Sequence, residues 1–495
     1  MHAIEIMYRR WMIRRRAYCA GVMFVSLMFV SLMFVGLLTG TARADDSDRP
    51  NILLFITDDE SWLERSIHGW SDLPTPAFDR VAKEGALFTH GFTSAPSCAP
   101  SRASILSGRN FWELRQGAFI QAYVPQQIPL FTHVLARHGY HVGNTGKGWG
   151  PGVTIDESHD QMIGKTYDAI ELPEPIPGIS PIDYAENFRQ FLDDRDQDQP
   201  FFFWAGIHEP HGPYGDQNHQ RLADQFGMSP DTVPMPPVMD DSEANRIERG
   251  NTLYEIAYAD QQLSRMLDLL ERTGQDDNTL VVVTSDNGSV VLDGESLRAK
   301  ASPYDNGVHV PLAIRWPAKM PGGRTVTDFV SLIDLAPTFL QLAGIPVPDG
   351  MSGKSLVPIL RSEQSGRIDP SRSSVVTGLE WHGEFDPASR SSRSIRNDRF
   401  SYIVRYGNIG GSQWATPIAK EFYDVANDPW EQHNLIDDPQ YTDDIASLSS
   451  QLEQYQRQTG DPRITDDQDI FRRTRDYVQK RKRVGYDQTL TLPFE

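Results

Sequence analysis

The residues best placed to do chemistry are oxygen donors that close two apolar runs, together with one cysteine. Asn51 to Thr57 is a short β-like run ending in Asp58-Asp59, and Thr279 to Thr284 is another, ending in Ser285-Asp286-Asn287-Gly288. Asp58, Asp59, Asp286 and Asn287 offer only oxygen ligands, the choice of a hard cation such as Ca2+ or Mg2+. Asp and Asn after a strand more often make turns or helix caps when taken singly. Two such pairs at equivalent strand ends point to a site. Cys98 opens the run Cys98-Ala99-Pro100-Ser101-Arg102 and, with Cys19 lying in an N-terminal leader, is the sole cysteine expected in the mature chain. A lone thiol in an exported protein forms no intramolecular disulfide, so it serves either packing or chemistry. Pro100 reads as the first residue of a helix that Gly108 stops. Cys98 is then expected at the helix mouth, where free N–H groups and the dipole favour an anion.

Four cationic or potentially cationic groups can join this set: Arg102, Lys147 in Thr145-Gly146-Lys147-Gly148-Trp149-Gly150, His211 and Lys300. Singly, such residues are surface charges or satisfied loop histidines. Together with a metal they suit an oxyanion with a tetrahedral centre, held by charge-assisted donors.

Parallel strands must bring these residues together. Pro200 to Ile207 is a third apolar run, ending in His208-Glu209-Pro210-His211, and helical stretches such as Ile256 to Thr273 separate the runs. Continuous apolar strands alternating with helices predict an α/β fold, a mostly parallel sheet with helices on both faces. Ligands of such sheets gather at the strands' carboxyl ends, where all three runs carry their polar residues. Arg361 to Ser373 reads as a linker. Strand-like segments from Arg399 and Glu421, then a helical tail, predict a smaller C-terminal α+β subdomain. The expected division is 1–44 leader, 45–365 catalytic domain and 366–495 C-terminal subdomain.

The leader has Arg9, Arg10, Arg14, Arg15 and Arg16, an apolar stretch from Ala17 to Gly40, and a small-x-small site at Ala42-Arg43-Ala44. This is the pattern of a cleaved signal peptide; the stretch is also long enough for an uncleaved anchor. Either way the globular part is expected outside the cytoplasm, periplasmic or extracellular, with no stable membrane association once the leader is cleaved. The formal net charge of −20 argues against a nucleic-acid partner. One basic cluster, Arg472 to Arg483, reads as a solvated surface helix. The net charge also predicts action on chain ends or short saccharides rather than long-range capture of a polyanion.

On these motifs the chain resembles the type I, formylglycine-dependent sulfatases. Cys98-Ala99-Pro100-Ser101-Arg102 fits the C-x-P-S-R signature, and Asp58-Asp59, Gly146-Lys147, Pro210-His211, Asp286-Asn287-Gly288, Lys300 and Glu421 to Pro429 follow in family order. The resemblance implies an alkaline-phosphatase-like fold, Ca2+ held by Asp58, Asp59, Asp286, Asn287 and the modified Cys98, and a maturing enzyme that oxidises Cys98 to formylglycine. It implies that the hydrated aldehyde attacks sulfur to give a covalent sulfo-enzyme, with Arg102, Lys147, His211 and Lys300 polarising the nucleophile, binding sulfate oxygens or protonating the leaving atom. Many relatives carry G-K-x-H, whereas this chain has Trp149; His141 and His208 are candidates to replace that histidine. Within the family, the heparan N-sulfatase branch is resembled through His208 to His211, Gly148 to Pro151, Glu380-Trp381-His382, Ser394-Ile395-Arg396, Asp428 to Leu435 and Thr459 to Pro462. His208, Glu380 and His382 are accordingly expected at the sugar of a sulfated glycan. An O-sulfatase, a phosphonate or phosphate ester hydrolase and a glycan-binding protein with an unoxidised cysteine are the competing readings.

Overall fold

The computed structural model describes residues 49–153, 162–289, 298–383, 391–409, 411, 414–465 and 467–484; the leader lies outside them. Nine strands form the main sheet and its flank: β1 (Asn51–Thr57), β2 (Ala86–Phe88), β3 (Gly91–Phe92), β4 (His141–Gly146), β5 (Lys165–Thr166), β6 (Phe201–Gly206), β7 (Thr279–Ser285), β8 (Leu312–Arg315) and β9 (Arg324–Val326). All but β3 belong to one sheet of order β5-β4-β6-β1-β7-β8-β2-β9. Within it β4, β6, β1 and β7 run parallel, while β8 is antiparallel to both its neighbours.

Side chains alternate across the pleat, and the two faces bury separate apolar layers. Leu53, Phe55, Phe203, Val281 and Val283 face one layer, which includes much of the helix Glu243–Arg272. Ile52, Leu54, Ile56, Phe202, Trp204 and Val282 face the other. Burial on both faces explains why the strands read as unbroken apolar runs. The long helix starts well before the predicted Ile256, because the Ser242 side chain caps it by accepting from the Asn245 N–H.

Parallel register decides where the polar ends fall. Gly146 pairs with Gly206, Ile56 with Gly206, and Thr57 with Ser285. The residues that follow therefore leave the sheet along one edge. Gly146 is required there: its φ is +67°, and a Cβ would stand 2.2 Å from the Gly206 carbonyl oxygen.

A second, antiparallel sheet runs in order β11 (Ser374–Leu379), β12 (Ser392–Asn397), β13 (Phe400–Tyr406) and β14 (Pro417–Asp424); β10 (Val330–Ser331) pairs with β3. Val376, Ile395, Tyr402 and Phe422 of this sheet share an apolar cluster with Ile52 and Leu54 of the first. The stretch from Arg361 to Ser373 carries no named helix or strand, yet it is tied down. Asp328 accepts from the Ile368 and Asp369 N–H groups, and buried Arg372 pairs with Asp334 at 2.7 Å. Among the described residues no helix is long and apolar enough to cross a membrane.

Candidate active site

The helix that positions the cysteine, α1, spans Cys98–Ser107 and ends at Gly108 in the left-handed conformation. It opens two residues earlier than predicted. Ser97 is extended (φ −157°, ψ 130°) and its carbonyl accepts from the Ser101 N–H at 2.9 Å; proline is tolerated anywhere in the first turn, where its missing N–H costs no helical bond. Cys98 is thus the first helical residue, 2 % exposed, with its thiol 3.6 Å from Asp58 Oδ1.

Asp58, Asp59 and Asp286 converge from the ends of β1 and β7, with one oxygen of each within 4.8 Å of the others. Asp59 has φ 71°, an uncommon backbone state for a non-glycine residue, and its N–H donates to Asp286 Oδ1 at 3.2 Å. Asn287 donates through Nδ2 to Asp59 Oδ1 (2.7 Å) and to the Gly288 carbonyl (2.9 Å). Its Oδ1 is buried and accepts nothing among the described residues. An orphaned amide oxygen beside three carboxylates is the donor set of a hard cation, so the residues fit a Ca2+ ion.

Three cations balance the three carboxylates. Arg102, fully buried, donates from Nε to Asp286 Oδ2 (2.7 Å) and from Nη1 to the carbonyls of Lys147 (2.6 Å) and Gly148 (3.0 Å). Its Nη2 lies 3.9 Å from Asp58 Oδ1 and has no hydrogen bond among the described residues. Lys147 bonds Asp58 Oδ2, and Lys300 lies 2.6 Å from Asp59 Oδ1. Burial disfavours the charged form of both lysines, but the facing carboxylates and Cys98 outweigh it, so both hold their protons above the usual lysine range. Asp58 is likewise opposed by burial and held below the usual carboxylate range chiefly by Lys147. The Cys98 thiol is pushed up to about 12 by burial, so little thiolate forms at neutral pH and the unmodified thiol is a poor nucleophile.

His211 reaches the cluster from the loop after β6. A ring nitrogen lies within 4.8 Å of both Cys98 Sγ and an Asp58 oxygen, and Nε2 is 3.7 Å from Asp59 Oδ2. Nδ1 is 2.7 Å from the Gly212 carbonyl, which can only accept, so Nδ1 carries hydrogen and Nε2 is the nitrogen that can gain or release a proton at the site. His382 Nδ1 lies 2.8 Å from the Ser97 hydroxyl, beside the helix mouth. His208 is largely buried and its ring feels Asp58, Arg102 and Lys147, with burial holding it below the usual histidine range.

Two expectations need correction. Glu380 does not face a sugar: its side chain is fully buried, one oxygen bonded to Arg463 and the other to Arg393 at 3.2 Å, within a cluster completed by Asp461. Glu380→Ala is expected to destabilise the fold by about 3 to 5 kcal/mol, because two buried guanidinium groups lose a partner. Denaturant unfolding measures this, whereas a sugar contact would raise KM at unchanged stability. His141 cannot replace the missing histidine, since it opens β4 and Lys147 follows the strand's other end, about 20 Å of strand away. Trp149 itself joins the apolar core, 8 % exposed.

Sequence reasoning assigned no role to Ser101, whose hydroxyl donates to the Asp286 carbonyl at 2.5 Å. Its place in C-x-P-S-R was the available signal. Glu209 had none: it accepts from the Ser180 N–H (2.7 Å) and the Tyr184 hydroxyl (2.9 Å), anchoring the His208 to His211 loop from below.

Residues 50–345 match the family model described as Sulfatase, and residues 297–458 match the model of the N-sulphoglucosamine sulphohydrolase C-terminal region. An ulvan-active sulfatase of Formosa agariphila is 27 % identical, the match covering 84 % of this chain and 81 % of the relative. Human N-sulphoglucosamine sulphohydrolase is 25 % identical, covering 86 % of this chain and 93 % of the relative. A solved structure from work on glycosaminoglycan metabolism by Bacteroides thetaiotaomicron superposes with a TM-score of 0.69 at 18 % identity, covering 85 % of this chain and 98 % of that one.

Proposed function

The chain belongs to the sulfatase family, and from that premise we propose that it removes sulfate from sulfated glycans through a formylglycine made from Cys98, with N-sulfoglucosamine at a non-reducing end as its leading substrate. One observation carries the reading: three carboxylates and the unpaired Asn287 Oδ1 meet Cys98 at a helix mouth, ringed by Arg102, Lys147, Lys300 and His211. A formylglycine-generating or other sulfatase-maturing enzyme supplies the aldehyde, whose hydrate is the nucleophile that takes the sulfate. Asp58, Asp59, Asp286, Asn287 and the converted Cys98 hold one Ca2+, which contributes Lewis-acid polarisation when bound.

The chain's own groups do the rest. Arg102, locked by Asp286 and the Lys147 carbonyl, keeps Nη2 near the nucleophile's carboxylate partner. Lys147 and Lys300 are protonated and bind sulfate oxygens. His208 and His382 contact the sugar, and His208 also stands for the histidine that Trp149 replaces. The leader at 1–44 exports the protein to the periplasm or beyond, 45–365 is the catalytic domain, and 366–495 is the C-terminal subdomain. No nucleic acid and, after cleavage, no membrane takes part.

Breaking an N–S bond expels an amine, a poor leaving group unless protonated, and His211 Nε2 is the acid. His211→Ala is expected to lower sulfamate cleavage by about a hundredfold while lowering cleavage of an activated aryl sulfate far less. Equal losses on both substrates would remove His211 from the acid role. A panel of defined N-, 2-O-, 3-O- and 6-O-sulfated saccharides tests the substrate. Cleavage confined to O-sulfates would reject the N-sulfatase reading and favour the second one, an O-sulfatase, which the similarity to the ulvan-active sulfatase supports.

A further inference from the structure

The run Asp428 to Leu435 supplies no group to the mechanism above, yet its Glu431 is buried against the segment that carries Lys300. Glu431 Oε2 accepts from the Asp305 N–H at 2.8 Å, and the Glu431 carbonyl accepts from Arg298 Nη1. Arg298 and Asp305 bracket Lys300. One residue of the C-terminal region therefore holds both ends of the segment whose lysine meets Asp59.

The antiparallel sheet ties down the same segment. The Tyr304 hydroxyl donates to Glu421 Oε2 at 2.6 Å and accepts from Arg405 Nη2 at 3.0 Å, while Arg396 pairs with Asp305 at 3.2 Å. The Arg298 guanidinium lies 4.7 Å from the centre of the Tyr304 ring and 5.6 Å from that of Tyr423. From the other side, the Lys300 N–H donates to the Ser289 carbonyl at 2.9 Å and the Ala301 N–H to the Pro96 carbonyl at 2.8 Å. Ala301 has φ 63° and Glu431 φ 53°. A left-handed conformation outside glycine persists where the surroundings over-determine it. The chain is thus held in a disfavoured bend directly after Lys300, with anchors on both sides.

We propose that Glu431 is a positioning residue for Lys300, clamping residues 298–305 so that the ammonium stays at Asp59 and meets a sulfate oxygen. The inference rests on the sulfatase reading above, in which Lys300 binds sulfate. Burial and the Asp305 carboxylate push the Glu431 carboxyl up to about 8, so at pH 7 it is chiefly the neutral acid. Glu431→Gln therefore keeps both its charge state and its acceptor oxygen.

The test pairs E431M with E431Q, which fill similar space; only glutamine offers an oxygen to the Asp305 N–H. Amide hydrogen exchange of residues 298–305 and calorimetry with inorganic sulfate are measured with Ca2+ present. In E431M the segment is expected to exchange about tenfold faster. The Kd for sulfate is expected to rise about tenfold, because a charge-assisted bond from Lys300 loses its alignment. E431Q is expected to match the parent in both. E431A reports the same losses if methionine is not accommodated. In a K300A background, adding E431M is expected to leave sulfate binding where K300A alone puts it, because Glu431 acts only through Lys300. Exchange as slow in E431M and E431A as in the parent, a glutamine variant as fast as the methionine one, or a further loss on top of K300A would overturn the proposal. Faster exchange with sulfate binding unaltered in both E431M and K300A would keep the clamp on the segment and remove Lys300 from the sulfate site, which sinks that part of the sulfatase reading alone.

Discussion

Cys98→Ala is expected to leave a folded protein whose turnover of sulfate esters and sulfamates falls by at least about a thousandfold, roughly 4 kcal/mol of activation free energy. The residue sits at the first position of α1, against Asp58 and within reach of His211, so on the proposed mechanism its converted side chain is the group that meets sulfur. Folding should survive. The substitution removes one buried atom and cuts no helical hydrogen bond, a change of about 1 kcal/mol. Denaturant unfolding and kcat, measured on the same preparation, separate the two effects. Intact mass adds a second check, because formylglycine is lighter than cysteine. Fully active protein bearing an unmodified thiol, or normal turnover by the alanine variant, would reject the mechanism.

Rigorous removal of divalent cations is expected to abolish activity, and Ca2+ to restore it. The carboxylates of Asp58, Asp59 and Asp286 are buried together, and lysine and arginine neutralise them at the cost of sulfate-binding cations. A Ca2+ ion relieves that competition. It would also take the Asn287 Oδ1 lone pairs, which have no partner among the described residues. The effect has a readout independent of catalysis: at a hundredfold excess over its Kd, Ca2+ stabilises the folded state by about 2.7 kcal/mol. Asn287→Leu should erase this thermal response, and Asn287→Asp, which keeps an oxygen in place, should retain it. Equal stabilisation by Ca2+ of the parent and the leucine variant would locate the ion elsewhere.

The strand ends were legible because the signal is local. Apolar runs that close on Asp58-Asp59, Asp286-Asn287 and His208 to His211 need only a parallel register to align, and β6, β1 and β7 supply it. Lys147 and Lys300 were legible by motif alone. The roles of Glu380 and His141 were misjudged for the opposite reason. Glu380 lies two residues from His382 in sequence, but its carboxylate is captured by Arg463, 83 residues away. Strand periodicity would put residues two apart on one face, but Glu380 lies past the end of β11 at Leu379, where a distant guanidinium and not strand alternation decides the direction of its carboxylate.

The sequence by itself determined the apolar strands, the oxygen donors at their ends and the cysteine at the head of a helix, because periodicity and turn chemistry act over a few residues. Tertiary structure alone decided which donors pair and which stay open. The unpaired Asn287 Oδ1 depends on Asp59, 228 residues away, taking the amide nitrogen, and His382 joins the mouth through Ser97, 285 residues away. Such pairings are set by how the two sheets pack on shared apolar clusters, and no short stretch of chain encodes that packing.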